Sequence, residues 1–233
     1  PDAALQAALA SVPGLVLAVP SGVPASALGA ELAVEAPENH LAWLLPILSP
    51  TVSPAVSPAN QPLKADALPL SIFSEAAIVA PSNQLDARLP SVLVSAPLAM
   101  LSAQDSKLIY SPSFELALAA SALGVSLDEA KVHPGTGVAL GTAWYATDAG
   151  LRVYPRVQSS SQAIPRVSAS ELLAGAISNK QLRGKTVIVG LADAAQTHTA
   201  VSHGDVRDTG LAWSAQTVNS LVNMSLVSVP YWS

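Results

Sequence analysis

Between positions 193 and 208 the chain gathers Asp193, Thr197, His198, His203, Asp205 and Asp208. Imidazoles and carboxylates crowded into one polar stretch suit two chemistries: coordination of a first-row divalent ion, and hydrogen bonding to a small polar or anionic ligand. A metal would draw on His198, His203 and Asp205. Those histidines stand five positions apart on a loop, a spacing that imposes no ligand geometry, so no metal is expected. Ligand contact and simple solvation of a polar loop stay open beside each other. Trp213 follows in the first turn of the next expected helix, where an indole could wall a pocket.

Other chemistries find less material. Gly135, Gly137 and Gly141 imitate a dinucleotide fingerprint, but they follow His133-Pro134, carry one residue too many before the last glycine and have no acidic residue at the usual distance. Ser202, His203 and Asp205 are adjacent in sequence, which is not how a hydrolase triad is assembled, and there is no Gly-x-Ser-x-Gly elbow. Asp128-Glu129 reads as the acidic start of a helix, not as a glycosidase pair. The domain itself is therefore expected to be non-catalytic and to need no cofactor. The absence of cysteine excludes disulfides and thiolate metal sites. A net charge of -5 with 11 scattered Lys and Arg argues against a nucleic-acid partner.

The elements that would position the polar loop flank it. Thr186, Val187, Ile188 and Val189 form a β-branched run without alternation, as expected of a strand covered on both faces, and Gly190 ends it. Beyond the loop, Leu211, Ala215, Val218, Leu221 and Val222 recur at helical spacing, with Gln216 and Asn219 turned away. In open α/β sheets ligands sit at the carboxyl ends of strands, which makes the loop the first candidate site.

Upstream, the pattern predicts a helix over residues 1–10 capped by Asp2, a strand over 15–19 and a helix over 39–48. Residues 49–62 repeat Ser-Pro and read as an exposed loop. A helix over 71–77 and strands over 78–80, 91–95 and 99–102 follow. The helix over 112–122 has Phe114, Leu118 and Leu123 on one face and Gly124 as its stop. Short strands are expected over 138–140 and 151–154, and Ser168 with Glu171 forms a capping box. Alternating helices and strands define an α/β class, with a mixed or mainly parallel central sheet and helices on both faces, in a single domain over residues 1–233.

Several of these segments resemble the second CHASE class, the extracytoplasmic sensor domains of bacterial membrane receptors. The residues that carry the resemblance are Ser168 ahead of Glu171-Leu172-Leu173, then Leu182, Gly184, Lys185, Val187, Ile188, Val189 and Gly190, and after the loop Gly210, Leu211, Ala215, Val218 and Leu221. Asp148, Gly150, Leu151 and Tyr154 resemble the family's Asp-x-Gly turn and short strand, and Pro112-Ser113-Phe114 with Leu116, Ala117, Leu118 and Ala119 its Pro-Ser-apolar helix. The similarity spans residues 110–232. Two features depart from it. The Ile-Asp-x-x-Ser strand and Pro-Trp-x-Arg element that usually open the family are missing, so Pro1 is expected to enter after them; and His198, Thr199 and Ala200 stand where relatives often carry an Asp shortly before Thr-Pro.

The resemblance implies a periplasmic input domain of an inner-membrane histidine kinase, nucleotide cyclase or cyclic-di-GMP enzyme. It further implies flanking transmembrane helices in the parent, a small ligand or periplasmic protein as partner, and it leaves a homodimer open. A small-molecule hydrolase and a periplasmic solute-binding or scaffold protein are the alternatives. Mean hydropathy is positive, +0.42, yet the apolar residues are spread, with no window long enough to cross a bilayer. Tyr231 and Trp232 near the end suit a membrane interface or a core equally.

Overall fold

The computed structural model describes residues 2–20, 28, 30–35, 77–82, 95–104, 107–156, 164–190, 200–203 and 206–227. The expected helix at 39–48, the Ser-Pro loop at 49–62 and most of the strand at 91–95 lie outside them. In chain order the elements are α1 (Asp2–Ala10), β1 (Val16–Pro20), β2 (Ala33–Val34), β3 (Ile78–Ser82), β4 (Ala96–Pro97), β5 (Ala99–Gln104) and β6 (Lys107–Pro112). Next come α2 (Phe114–Leu123), β7 (Ala130–His133), β8 (Gly137–Leu140), β9 (Ala143–Ala146) and β10 (Arg152–Pro155). The chain continues with α3 (Ala169–Leu173), α4 (Asn179–Leu182), β11 (Ala200–His203), β12 (Val206–Thr209), α5 (Gly210–Val222) and β13 (Leu226–Val227).

The α/β class holds, and the strand pairing is mixed. β1 runs parallel to β3, with Val16 opposite Ile78, and β2 runs parallel to β7. The other ladders are antiparallel: β5 with β6, β7 with β8, β8 with β9, β10 with both β4 and β13, and β11 with β12. β4 and β5 are one extended segment that changes partner at the buried Leu98, whose N–H donates to the Leu151 carbonyl and whose carbonyl accepts from Ser113 N–H, both at 2.9 Å.

α2 is the centre of the molecule. Its sequence, FELALAASAL, is apolar on nearly every side, and such a helix is stable only when covered all round. Residues 114–120 are all buried. Leu116, Ala119 and Ala120 face the larger cluster with Leu98, Val132, Leu140 and Tyr145, while Phe114, Ala117 and Leu118 face a second one with Ala80 and Val218. Burying a leucine such as Leu116 contributes about 2–3 kcal/mol. Ser113 caps the start, its Oγ accepting from Leu116 N–H at 3.1 Å. Gly124 ends the helix at φ +67, a left-handed conformation that only a residue without Cβ adopts cheaply.

The β7–β9 meander alternates with period two, Ala130, Val132, Val138, Leu140 and Tyr145 entering the core while Lys131, His133 and Trp144 point outward. β8 answers the strand expected over 138–140, whereas β7 and β9 on either side of it go beyond that expectation. Two glycines make the turns that join the strands, Gly135 at φ +78 and Gly141 at φ +56.

Three further expectations are corrected. Residues 186–190 belong to no ladder, and Val187 and Val189 are 52% and 87% exposed, so this is not a strand covered on both faces. Ile188 packs against the second cluster. The polar loop is shorter than expected, since β11 and β12 turn its second half into a hairpin. The buried face of α5 runs through Trp213, Thr217, Val218, Ser220 and Leu221, with Leu211 and Ala215 only half-buried. The capping box at Ser168 and Glu171 forms as expected.

Candidate functional site

Asp193, Thr197, His198 and Asp205 lie outside the described residues. His203 and Asp208 fall on the hairpin, where the ladder sets His203 opposite Val206 and Asp208 opposite Val201. Thr209 runs directly into Gly210, so the hairpin and α5 form one continuous piece of backbone. Among the described residues no group of three or more His, Cys, Asp or Glu could hold a metal ion. Trp213 is 4% exposed, so its indole is part of the interior, and its Nε1–H has no hydrogen-bond partner.

The residue beside it, Ser214, leads to a group that sequence reasoning missed. Ser214 Oγ donates a 2.7 Å hydrogen bond to Oε1 of Glu115, on the second position of α2. Glu115 is only 2% exposed, and its Oε2 has no partner among the described residues. Burial pushes its carboxyl up from the ordinary 4.5, against the smaller opposing effects of the Ser214 hydroxyl and its own backbone N–H. Ser111, four positions earlier and 1% exposed, leaves its Oγ unpartnered as well. Among the described residues, a carboxyl with one free oxygen, an unpartnered hydroxyl and an unpartnered indole N–H thus sit in an interior where most polar atoms are paired. The signal for Glu115 was present: it is the single charged residue in an otherwise apolar helix.

Glu115 joins the start of α2 to the start of α5 through the short bond from Ser214. At the other end of α5, Tyr145 O–H donates to the Leu221 carbonyl at 3.3 Å, and Leu221 is fully buried. The helix is therefore packed along its length, through Trp213 and Val218 as well as Leu221, and the Ser214–Glu115 bond adds a polar contact, or clasp, at its near end.

The Asp-x-Gly turn is structural. Asp148 Oδ1 accepts from Gly150 N–H and Arg152 N–H, each at 2.9 Å, and Oδ2 accepts from Tyr154 O–H at 3.2 Å. Arg152 Nε–H donates to Ser95 Oγ at 2.6 Å, tying the turn to the segment that leads into β4. Burial holds the Arg152 guanidinium below its ordinary value, with Asp148 acting in the opposite direction.

An open groove of about 910 Å³ lies elsewhere, lined by Gly14, Ile78, Ser121, Gly124, Ser126 and Leu127 among others. It borders the amino ends of the parallel pair β1 and β3. Among the described residues no helix is long and apolar enough to cross a membrane. No family model, curated protein or solved structure matches the chain.

Proposed function

We propose that this chain is a sensor domain from the extracytoplasmic part of a bacterial transmembrane signalling receptor, non-catalytic in itself. Binding of a small ligand or periplasmic protein near the β11–β12 hairpin would favour one position of α5 over another. Flanking membrane helices in the parent would relay that choice to a kinase, cyclase or cyclic-di-GMP module.

The observation that carries this reading is the polar contact between two helix starts: Ser214, where α5 leaves the hairpin, donates to the buried carboxyl of Glu115, while the far end of α5 is anchored in the core at Leu221. A ligand that competes for the clasp has a differential interaction with two states, which a population shift requires. The sequence resemblance gives further support, since its motifs fall on the cap of α2, the Asp148 turn, the capping box of α3 and α5 itself.

The test is a chimaera that places the chain between the transmembrane helices of a receptor histidine kinase, with kinase output read in a bacterial host. Ser214→Ala and Glu115→Gln should change basal output at least several-fold, while Val189→Ser on the exposed run should not. An output indifferent to both clasp substitutions would sink the proposal. Turnover of a small ester or phosphate by the purified chain would move the reading to the hydrolase alternative.

A further inference from the structure

The outer face of the β7–β9 meander carries an arrangement that neither core packing nor the sensor reading uses. Trp144 is 44% exposed. Its ring lies over Gly137, where an added Cβ would come within 2.6 Å of Trp144 Cζ2 and 2.5 Å of the Tyr145 carbonyl. The His133 ring meets the indole edge-on, with centroids 5.0 Å apart and planes at 73°. His133 Nε2 in turn stands 3.3 Å from Glu35 Oε2, and Lys131 Nζ stands 3.4 Å from Glu35 Oε1. The strand registers explain the meeting: Lys131 pairs with Ala33 and with Ala139, Ala139 with Trp144, and His133 with Gly137.

We propose that Trp144 is the platform of a carbohydrate-binding site, taking one pyranose ring of a neutral β-linked oligosaccharide. Such a ring presents an apolar face of axial C–H bonds, which a flat, immobilised indole covers, and a rim of hydroxyls that both donate and accept hydrogen bonds. His133 touches the indole, and beyond it Glu35 and Lys131, paired with each other at 3.4 Å, offer an acceptor and a donor whose charges offset each other. A neutral polyol suits this edge better than an anion or a cation would. Shielding the Gly137 ladder accounts for one face of the indole, and the sugar would take the other. Holding the ring before binding removes an ordering cost that a mobile side chain would impose.

The experiment is calorimetric titration of the whole chain with cellotetraose and with chitotetraose, alongside NMR of the tryptophan indole N–H signals. Binding of either probe, with Trp144→Ala weakening it about tenfold or more and Trp144→Phe retaining most of it, is the expected result. Lys131→Gln should weaken it several-fold, and Gly137→Ala, which displaces the ring, should do so where circular dichroism still shows a folded chain. The proposal is overturned if neither probe binds at about 10 mM, or if Trp144→Ala binds as well as the native chain. It is equally overturned if sedimentation shows a dimer that Trp144→Ala dissolves, because a second copy then covers this face.

Discussion

Residues 130–146 and residues 186–190 reverse what their composition suggests. The first stretch is interrupted by glycines and a proline, yet it forms three paired strands with one face in the core. The second is a run of threonine, valine and isoleucine with the stronger intrinsic preference for a strand, yet it pairs with nothing and exposes two of its valines. Strand propensity measures how well a side chain fits a pleated, covered surface, and it has no effect where no neighbour supplies that surface. In the meander each strand brings the next within reach through a short glycine turn. Residues 186–190 are preceded by the short helices α3 and α4, which offer no hairpin partner.

The largest effect should come from the covered side of that pair. Leu140 is 1% exposed in β8 and packs in the larger cluster, so Leu140→Ala should cost about 2–5 kcal/mol. Urea denaturation should show the midpoint falling with the slope unchanged. A small loss would mean that the inner face of the meander is not the core.

Glu115 tests whether the clasp is a strained polar contact inside the better-packed region. Because burial raises its folded-state pKa above the ordinary 4.5, the folded chain holds a proton that the unfolded chain releases. No stability is lost below about pH 4.5; stability then falls as pH rises, until the raised folded value is passed. Glu115→Gln keeps an acceptor for Ser214 and removes this dependence. At pH 7 the variant should be more stable than the native chain, with the difference vanishing below pH 4.5. A parallel pair of pH–stability curves would show that Glu115 titrates alike in both states.

A smaller effect is expected at Ser168, whose Oγ accepts from Ser170 N–H while its own N–H donates to Glu171, each at 3.2 Å. Ser168→Ala should cost about 1 kcal/mol. α3 is exposed throughout, so the cost should appear as faster hydrogen exchange in α3 and leave the global midpoint nearly unmoved.

Local signals were legible in the sequence to the extent that their physics is local. α1, the ends of α2 at Ser113 and Gly124, and the capping box at Ser168 all follow from residues within one or two turns. β1, β3, β8 and β10 follow from short apolar runs that do find partners. What the sequence withheld depends on distant neighbours. The Glu115–Ser214 bond joins residues 99 positions apart, and the seat of Trp144 on Gly137 needs two ladders in register. The polar stretch that looked most reactive is split between a hairpin and residues outside the described set, and Trp213 proved interior, because aromatic burial is decided by what packs above it.

The smallest predicted effect bears most directly on the opening contrast. Val189 is 87% exposed and lies in no ladder, so Val189→Ser should change stability by no more than about 0.5 kcal/mol. Ile188→Ser, one position away, should cost clearly more, since Ile188 packs on the cluster of Ala80, Phe114, Ala117, Leu118 and Val218. The same polar side chain introduced at adjacent positions thus separates burial from propensity, because valine and isoleucine share the same preference for strands. If both substitutions cost the same, the run is covered on both faces in solution, and the paired strand that its sequence suggests forms there after all.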